Sequence, residues 1–132
     1  MATWDDVAGV VGELQLIEER SPHEWRVGKK LIAWERPLRK SDHEALTALG
    51  IDPPQGDILA VRVADEGVKF ALIADEPELY FTTPHFDGYP AVLVKLAAID
   101  EYGLGELIVE AWLTQAPKRL VEEFLGEFDR PT

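Results

Sequence analysis

The run EWRVGKKLIAWERP, residues 24–37, constrains the fold of this chain more than any other stretch. Trp25 and Val27 alternate with Arg26, which gives the segment one apolar face. Gly28 and Lys29 supply a two-residue turn, and residues 31–35 return as a second strand that Pro37 ends. A connection that short joins only antiparallel neighbours, so the spacing predicts an antiparallel sheet. Three further runs extend it: ILAVRV at 58–63, ELYFTT at 78–83 and AVLVKLAAI at 91–99. In the last, Val92, Val94 and Leu96 are expected to face inward, because the alternate set contains Lys95.

Helical signals flank these strands. Thr3 and Asp6 have capping-box spacing, and Trp4, Val7, Val10, Val11 and Leu14 continue as one face to about Leu16. Gly9 and Gly12 weaken that helix by about 1 kcal/mol each relative to Ala, so packing must hold it. Ser41 and Glu44 show the same spacing at the head of DHEALTALG, which Gly50 closes. Residues 65–74 fit either a hairpin across Glu66-Gly67 or a short helix with Val68, Ala71 and Leu72 inward. Asp100 caps a long helix whose face is Leu104, Leu107, Ile108, Ala111 and Trp112. Pro117 interrupts it, and KRLVEEFLGEF resumes with Leu120, Val121, Phe124 and Leu125 apolar. Strands in hairpins with helices at both ends define an α+β class. The expected architecture is a two-layer sandwich, an antiparallel sheet of about five strands with helices packed on one face. With 132 residues and no repeat or low-complexity tract, a single domain spanning 1–132 is expected.

Charge narrows the partners. The net charge is −12, which opposes generic binding to phosphate backbones. The balance is uneven: between Arg20 and Lys40 seven basic residues face two acidic ones, a local +5 that leaves −17 elsewhere. This basic hairpin, with Arg26, Lys29 and Lys30, is a candidate contact for DNA; its plainer reading is a solvated surface. There is no cysteine, so disulfides, thiolate metal sites and cysteine nucleophiles are excluded. No apolar run reaches membrane-spanning length, and residues 1–10 carry Asp5 and Asp6 without a basic residue, unlike a secretory leader. A cytoplasmic domain without a membrane partner is the expectation.

The stretch FTTPHFDGYP, residues 81–90, concentrates the candidate chemistry. Thr83 and Tyr89 precede proline and are pushed to extended backbone, and Asp87-Gly88 provides a turn, so local rules alone build a rigid loop. Such a loop presents His85, Phe86 and Tyr89 as a fixed platform for a protein or small ligand. His85 and Asp87 invite a metal or a general-base dyad, but no further ligands stand at metal spacing and no activated nucleophile accompanies them; the simpler expectation is a histidine hydrogen-bonded within its own loop. The paired acids elsewhere sit where caps and solvent faces explain them. Lys118 and Arg119 follow Pro117 at a helix start, where backbone N–H groups attract anions. Trp112 reads as core. Trp25 and Trp34, beside the basic residues, suit base stacking but are expected to pack against the first helix. YGLGE at 102–106 lies inside a helix and carries no phosphate-cradle logic. No catalytic residue, cofactor motif or metal site follows from these patterns.

EWRVGKKLIAW at 24–34, LYFTTPHFDGYPAVLVKL at 79–96 and AWLTQAPKRLV at 111–121 together resemble the MmcQ/YjbR family. The resemblance runs over nearly the whole chain and departs mainly between Arg39 and Gly56. It implies a five-stranded antiparallel sheet with helices on one face, and it favours the helix at 65–74. It also implies the family's label, DNA-binding, without a catalytic set. The function expected from it is a non-enzymatic binding domain; the alternative is a protein- or small-ligand-binding module that avoids nucleic acid because of its charge.

Overall fold

A computed structural model describes residues 1–129, with side chains through residue 126. Six antiparallel strands form one sheet in the order β1-β2-β3-β4-β6-β5. They are β1 (Ile17–Ser21), β2 (Glu24–Val27), β3 (Lys30–Glu35), β4 (Ile58–Arg62), β5 (Tyr80–Phe81) and β6 (Ala91–Lys95). The helices are α1 (Trp4–Val11), α2 (Lys40–Ala48), α3 (Glu66–Asp75), α4 (Glu101–Gln115) and α5 (Lys118–Asp129). The α+β class is therefore as expected, with one strand more than the sequence reading. No helix among the described residues is long and apolar enough to cross a membrane.

The main core lies on one face of the sheet. Trp25, Val27, Leu59, Val61, Val92 and Val94 point into it and meet Val7 and Val11 of α1 and Leu104, Ile108 and Trp112 of α4. Thr3 caps α1 as expected, its hydroxyl accepting from the Asp6 N–H at 3.2 Å while Asp6 Oδ2 accepts from the Thr3 N–H at 2.8 Å. The helix stops at Val11 rather than near Leu16: Gly12 is its C-cap, the N–H donating to Ala8 O at 3.0 Å, and Leu16 takes a left-handed φ of 64° just before β1. In α5, Leu120, Val121 and Phe124 face the core, whereas Leu125 is exposed.

Two strand features escaped the sequence reading. β1 is an edge strand whose residues after Ile17 are all exposed, so IEERS shows no apolar alternation for a pattern to detect. Pro22 and His23, the latter at φ 60°, turn the chain from β1 into β2 as Pro and a positive-φ residue do in a type II turn. Then Trp25 pairs with Ala33 while Arg26 pairs with Leu31, so Ile32 is an extra, bulged residue. Gly28 turns this second hairpin at φ 61°, and a Cβ there would meet nothing within 4 Å. Gly28→Ala is thus expected to destabilise through backbone strain alone, by about 1–2 kcal/mol, measured by urea unfolding; an unchanged midpoint would mean that the turn relaxes freely.

The segment 65–74 is helical. Asp65 caps it, Oδ1 accepting from the Val68 N–H at 2.9 Å. Its inward residues are Lys69, Leu72 and Ile73 rather than the expected Val68, Ala71 and Leu72; Val68 and Ala71 are exposed. α2 begins at Lys40, with Arg39 as its N-cap, so Ser41 is already inside the helix. The carboxylate that caps is Asp42, whose Oδ2 accepts from the Arg39 N–H at 2.8 Å.

Candidate functional site

The other face of the sheet carries a smaller apolar cluster of Ile58, Ala60, Ala91, Leu93 and Phe86. The bulge at Ile32 brings Trp34 against it. Without the bulge, alternation from the Gly28 turn would set Trp34 on the Trp25 side of the sheet. With it, Trp34 pairs with Glu24 and turns to the opposite face, while Ile32 and Ala33 both join the main core. Trp25 does pack against the first helix, 6.3 Å from the Trp4 ring, and is 2% exposed. Trp34 does not.

Trp34, Phe86 and Tyr89 instead form a triangle of rings. Centroids lie 6.5 Å apart for Trp34–Phe86, 6.5 Å for Trp34–Tyr89 and 6.3 Å for Phe86–Tyr89, in tilted and edge-on geometries that aromatic quadrupoles favour. The rings border a groove of about 520 Å³ whose other walls include Leu31, Glu35, Leu38, Arg39 and His85.

Four polar devices fix this wall. The loop 83–90 turns at Asp87-Gly88 as expected, with Gly88 at φ 80° and the Tyr89 N–H donating to Phe86 O at 3.0 Å. From behind, Lys69 of α3, fully buried, donates its three N–H groups to Phe86 O at 2.7 Å, Tyr89 O at 3.0 Å and Glu66 Oε1 at 3.2 Å. Arg36, over the Phe86 ring at 5.3 Å, pairs with Asp42 at 3.0 Å, both nearly buried. Arg62 lies over the Tyr89 ring at 5.2 Å. Burial pushes the Asp42 pKa up, but the Arg39 N–H and the Arg36 guanidinium together hold it below its ordinary value.

His85 is exposed and packs edge-on against Phe86 at 5.1 Å. Among the described residues it makes no hydrogen bond, to Asp87 or to its own loop. Tyr89-Pro90 is trans. No group of three or more His, Asp or Glu residues among those described could hold a metal ion.

The expected contact residues separate. His85 and Tyr89 line the groove, with Arg39 exposed at its rim. Arg26 faces the groove side of the sheet but is held by Glu24 at 3.1 Å and by Lys29 O at 3.0 Å. Lys29 sits at the hairpin tip, whereas Lys30, opposite Val27, points to the helical side. Lys118 and Arg119 open α5 and are exposed; α5 packs on the main core, so the sheet separates them from the groove. Trp112 is core, its Nε1 donating to Gln15 O at 2.8 Å. Of the seven cations between Arg20 and Lys40, Arg20, Arg26, Arg36 and Lys40 pair with carboxylates. Lys29, Lys30 and Arg39 have none among the described residues. Sequence reasoning missed Lys69, Arg36, Asp42 and Arg62; a lysine on the inward phase of an amphipathic helix was the one available signal.

A groove walled by packed rings and backed by buried polar groups is thus the candidate site on an α+β scaffold. The uncharacterized proteins Rv2570 of Mycobacterium tuberculosis and Mb2600 of Mycobacterium bovis are each 73% identical to the chain over 126 residues, covering 96% of it and 98% of each relative. The chain belongs to the family that these mycobacterial proteins represent. No family model matches it, and no solved structure does.

Proposed function

We propose that the protein is a non-enzymatic binding domain of the MmcQ/YjbR type that receives a planar group in the groove beside Trp34, Phe86 and Tyr89. The observation that carries this reading is the ring triangle itself, immobilised from behind by Lys69, Arg36 and Arg62. A rigid aromatic wall binds flat ligands without an ordering cost. DNA is the partner that the resemblance implies, and the geometry favours an unstacked base of a single strand over a duplex. Base stacking on aromatic side chains contributes about 1–3 kcal/mol per base, whereas a duplex requires a broad positive field that three unpaired cations do not supply.

Fluorescence anisotropy with a labelled single strand and a labelled duplex, at low and near-physiological salt, tests this. Single-strand binding is expected, with a shallow slope of log K against log salt, about −2 for three or fewer phosphate contacts. Trp34→Ala should weaken it by about tenfold or more. Absence of single-strand binding at low salt, or an unchanged Trp34→Ala, would remove DNA as the partner.

A second reading rests on a specific observation: four of the seven hairpin-segment cations are neutralised within the protein. That favours a small planar ligand or a protein side chain in the same groove, without nucleic acid. Quenching of Trp34 fluorescence by neutral heteroaromatic compounds, coupled with no oligonucleotide binding, would support it.

A further inference from the structure

A second hollow, of about 590 Å³, opens between α3 and α4 on the main-core side of the sheet, away from the aromatic groove. Its size is that of a small-ligand site. Val63, Leu72, Leu79 and Leu107 give it an apolar floor, and Asp75, Glu76, Asp100, Glu106 and Glu110 stand around it. Asp100 is engaged as a helix cap, Oδ1 accepting from the Gly103 N–H at 2.7 Å. The other four carboxylates have no basic partner among the described residues.

Tyr80 supplies an independent observation. It is 6% exposed, lines the hollow, and its hydroxyl has no hydrogen-bond partner among the described residues. Burial, then the charges of Glu76, Glu106, Asp100 and Asp75, hold its pKa above the ordinary tyrosine value, so the fields of separate elements converge on one hydroxyl of a buried residue. The basic residue at the hollow, Arg62, has its guanidinium over Tyr89, to whose hydroxyl it donates at 3.5 Å.

We propose that this hollow binds an aliphatic polyamine, its methylenes on the apolar floor and its ammonium groups on the carboxylates, with the Tyr80 hydroxyl accepting from one of them. The carboxylates are spread around the cavity, and no three converge closely enough for a metal ion. Charges separated by apolar chain therefore match the site better than a point charge does.

Isothermal titration of the intact protein with spermidine at near-physiological salt tests the proposal. Saturable one-to-one binding is expected. Glu106→Lys with Glu110→Lys, both on exposed positions of α4, should weaken it by at least about tenfold. Glu13→Lys with Glu123→Lys makes the same change in net charge at exposed positions outside the hollow and should leave affinity within about twofold. Equal losses in the two proteins would reveal diffuse counter-ion attraction and overturn the site, as would the absence of saturable binding. Tyr102 also lines the hollow and is raised by Glu106, so the tyrosine readout uses Tyr102→Phe: there spermidine should lower the alkaline titration of one tyrosine, read by ultraviolet absorbance, and the shift should vanish when Tyr80→Phe is added; a shift that persists in the double variant overturns the Tyr80 contact.

Discussion

Lys69→Met is expected to lower folding stability by about 3 kcal/mol or more, because two hydrogen bonds from a buried ammonium are lost and bonds to a charged group contribute about 1.5–3 kcal/mol each. The substitution retains the volume of the side chain but strips the hydrogen bonds from Phe86 O and Tyr89 O. Each carbonyl keeps one backbone donor, Phe86 O the Tyr89 N–H at 3.0 Å and Tyr89 O the Ala91 N–H at 2.8 Å, so the loss is that of the ammonium's own bonds rather than of orphaned acceptors. Urea unfolding measures the effect. A loss under about 1 kcal/mol would mean that the loop 83–90 rests on its prolines and its Gly88 turn instead. Ligand binding in the groove should fail in the same protein even where it remains folded, because Phe86 and Tyr89 lose their common anchor.

Asp42→Ala is expected to cost a similar amount, about 3–5 kcal/mol, by leaving the Arg36 guanidinium buried without its counter-charge. Its pH dependence is distinctive. The Asp42 carboxyl titrates below its ordinary value of 3.8. Its stabilisation is therefore complete above that value and is lost as pH falls through the lower, folded one. Stability measured against pH should show an acid-side fall below about pH 3.8 that Asp42→Asn removes. If the wild type and Asp42→Asn have parallel profiles, the pair does not stabilise the fold through charge. Arg36→Met combined with Asp42→Leu should recover most of the loss, since apolar replacement of a whole buried pair is often neutral.

The fold was legible wherever one face of an element was apolar and the other wet. Gly28, Thr3, Asp100 and Gly88 sit at the turns and caps that local chemistry assigns to them. β1 was not legible, because an edge strand exposed beyond Ile17 has no periodicity. Trp34 was misplaced for a different reason: one bulged residue, Ile32, inverts the facing of everything after it, and nothing in KLIAWE marks the insertion. Lys69 was overlooked because its neighbours Val68 and Phe70 are the more apolar residues, yet they are the exposed ones. Propensity ranks side chains singly, whereas burial of Lys69 depends on carbonyls supplied by a loop far along the chain. The same holds for the groove. His85 and Tyr89 were visible as a platform, but the residues that make it rigid are Arg36 just after β3, Asp42 of α2, Arg62 of β4 and Lys69 of α3.

The bond from Trp112 Nε1 to Gln15 O spans 97 residues. α1 is synthesised first and packs on α4, one of the last elements to appear. Contacts of such separation slow folding, because the loop between them must close before they contribute. On the ribosome the strands can pair in sequence while the apolar face of α1 waits for its lid. Removal of α4 by premature termination should therefore yield not a smaller folded protein but a sheet with its main core open to water.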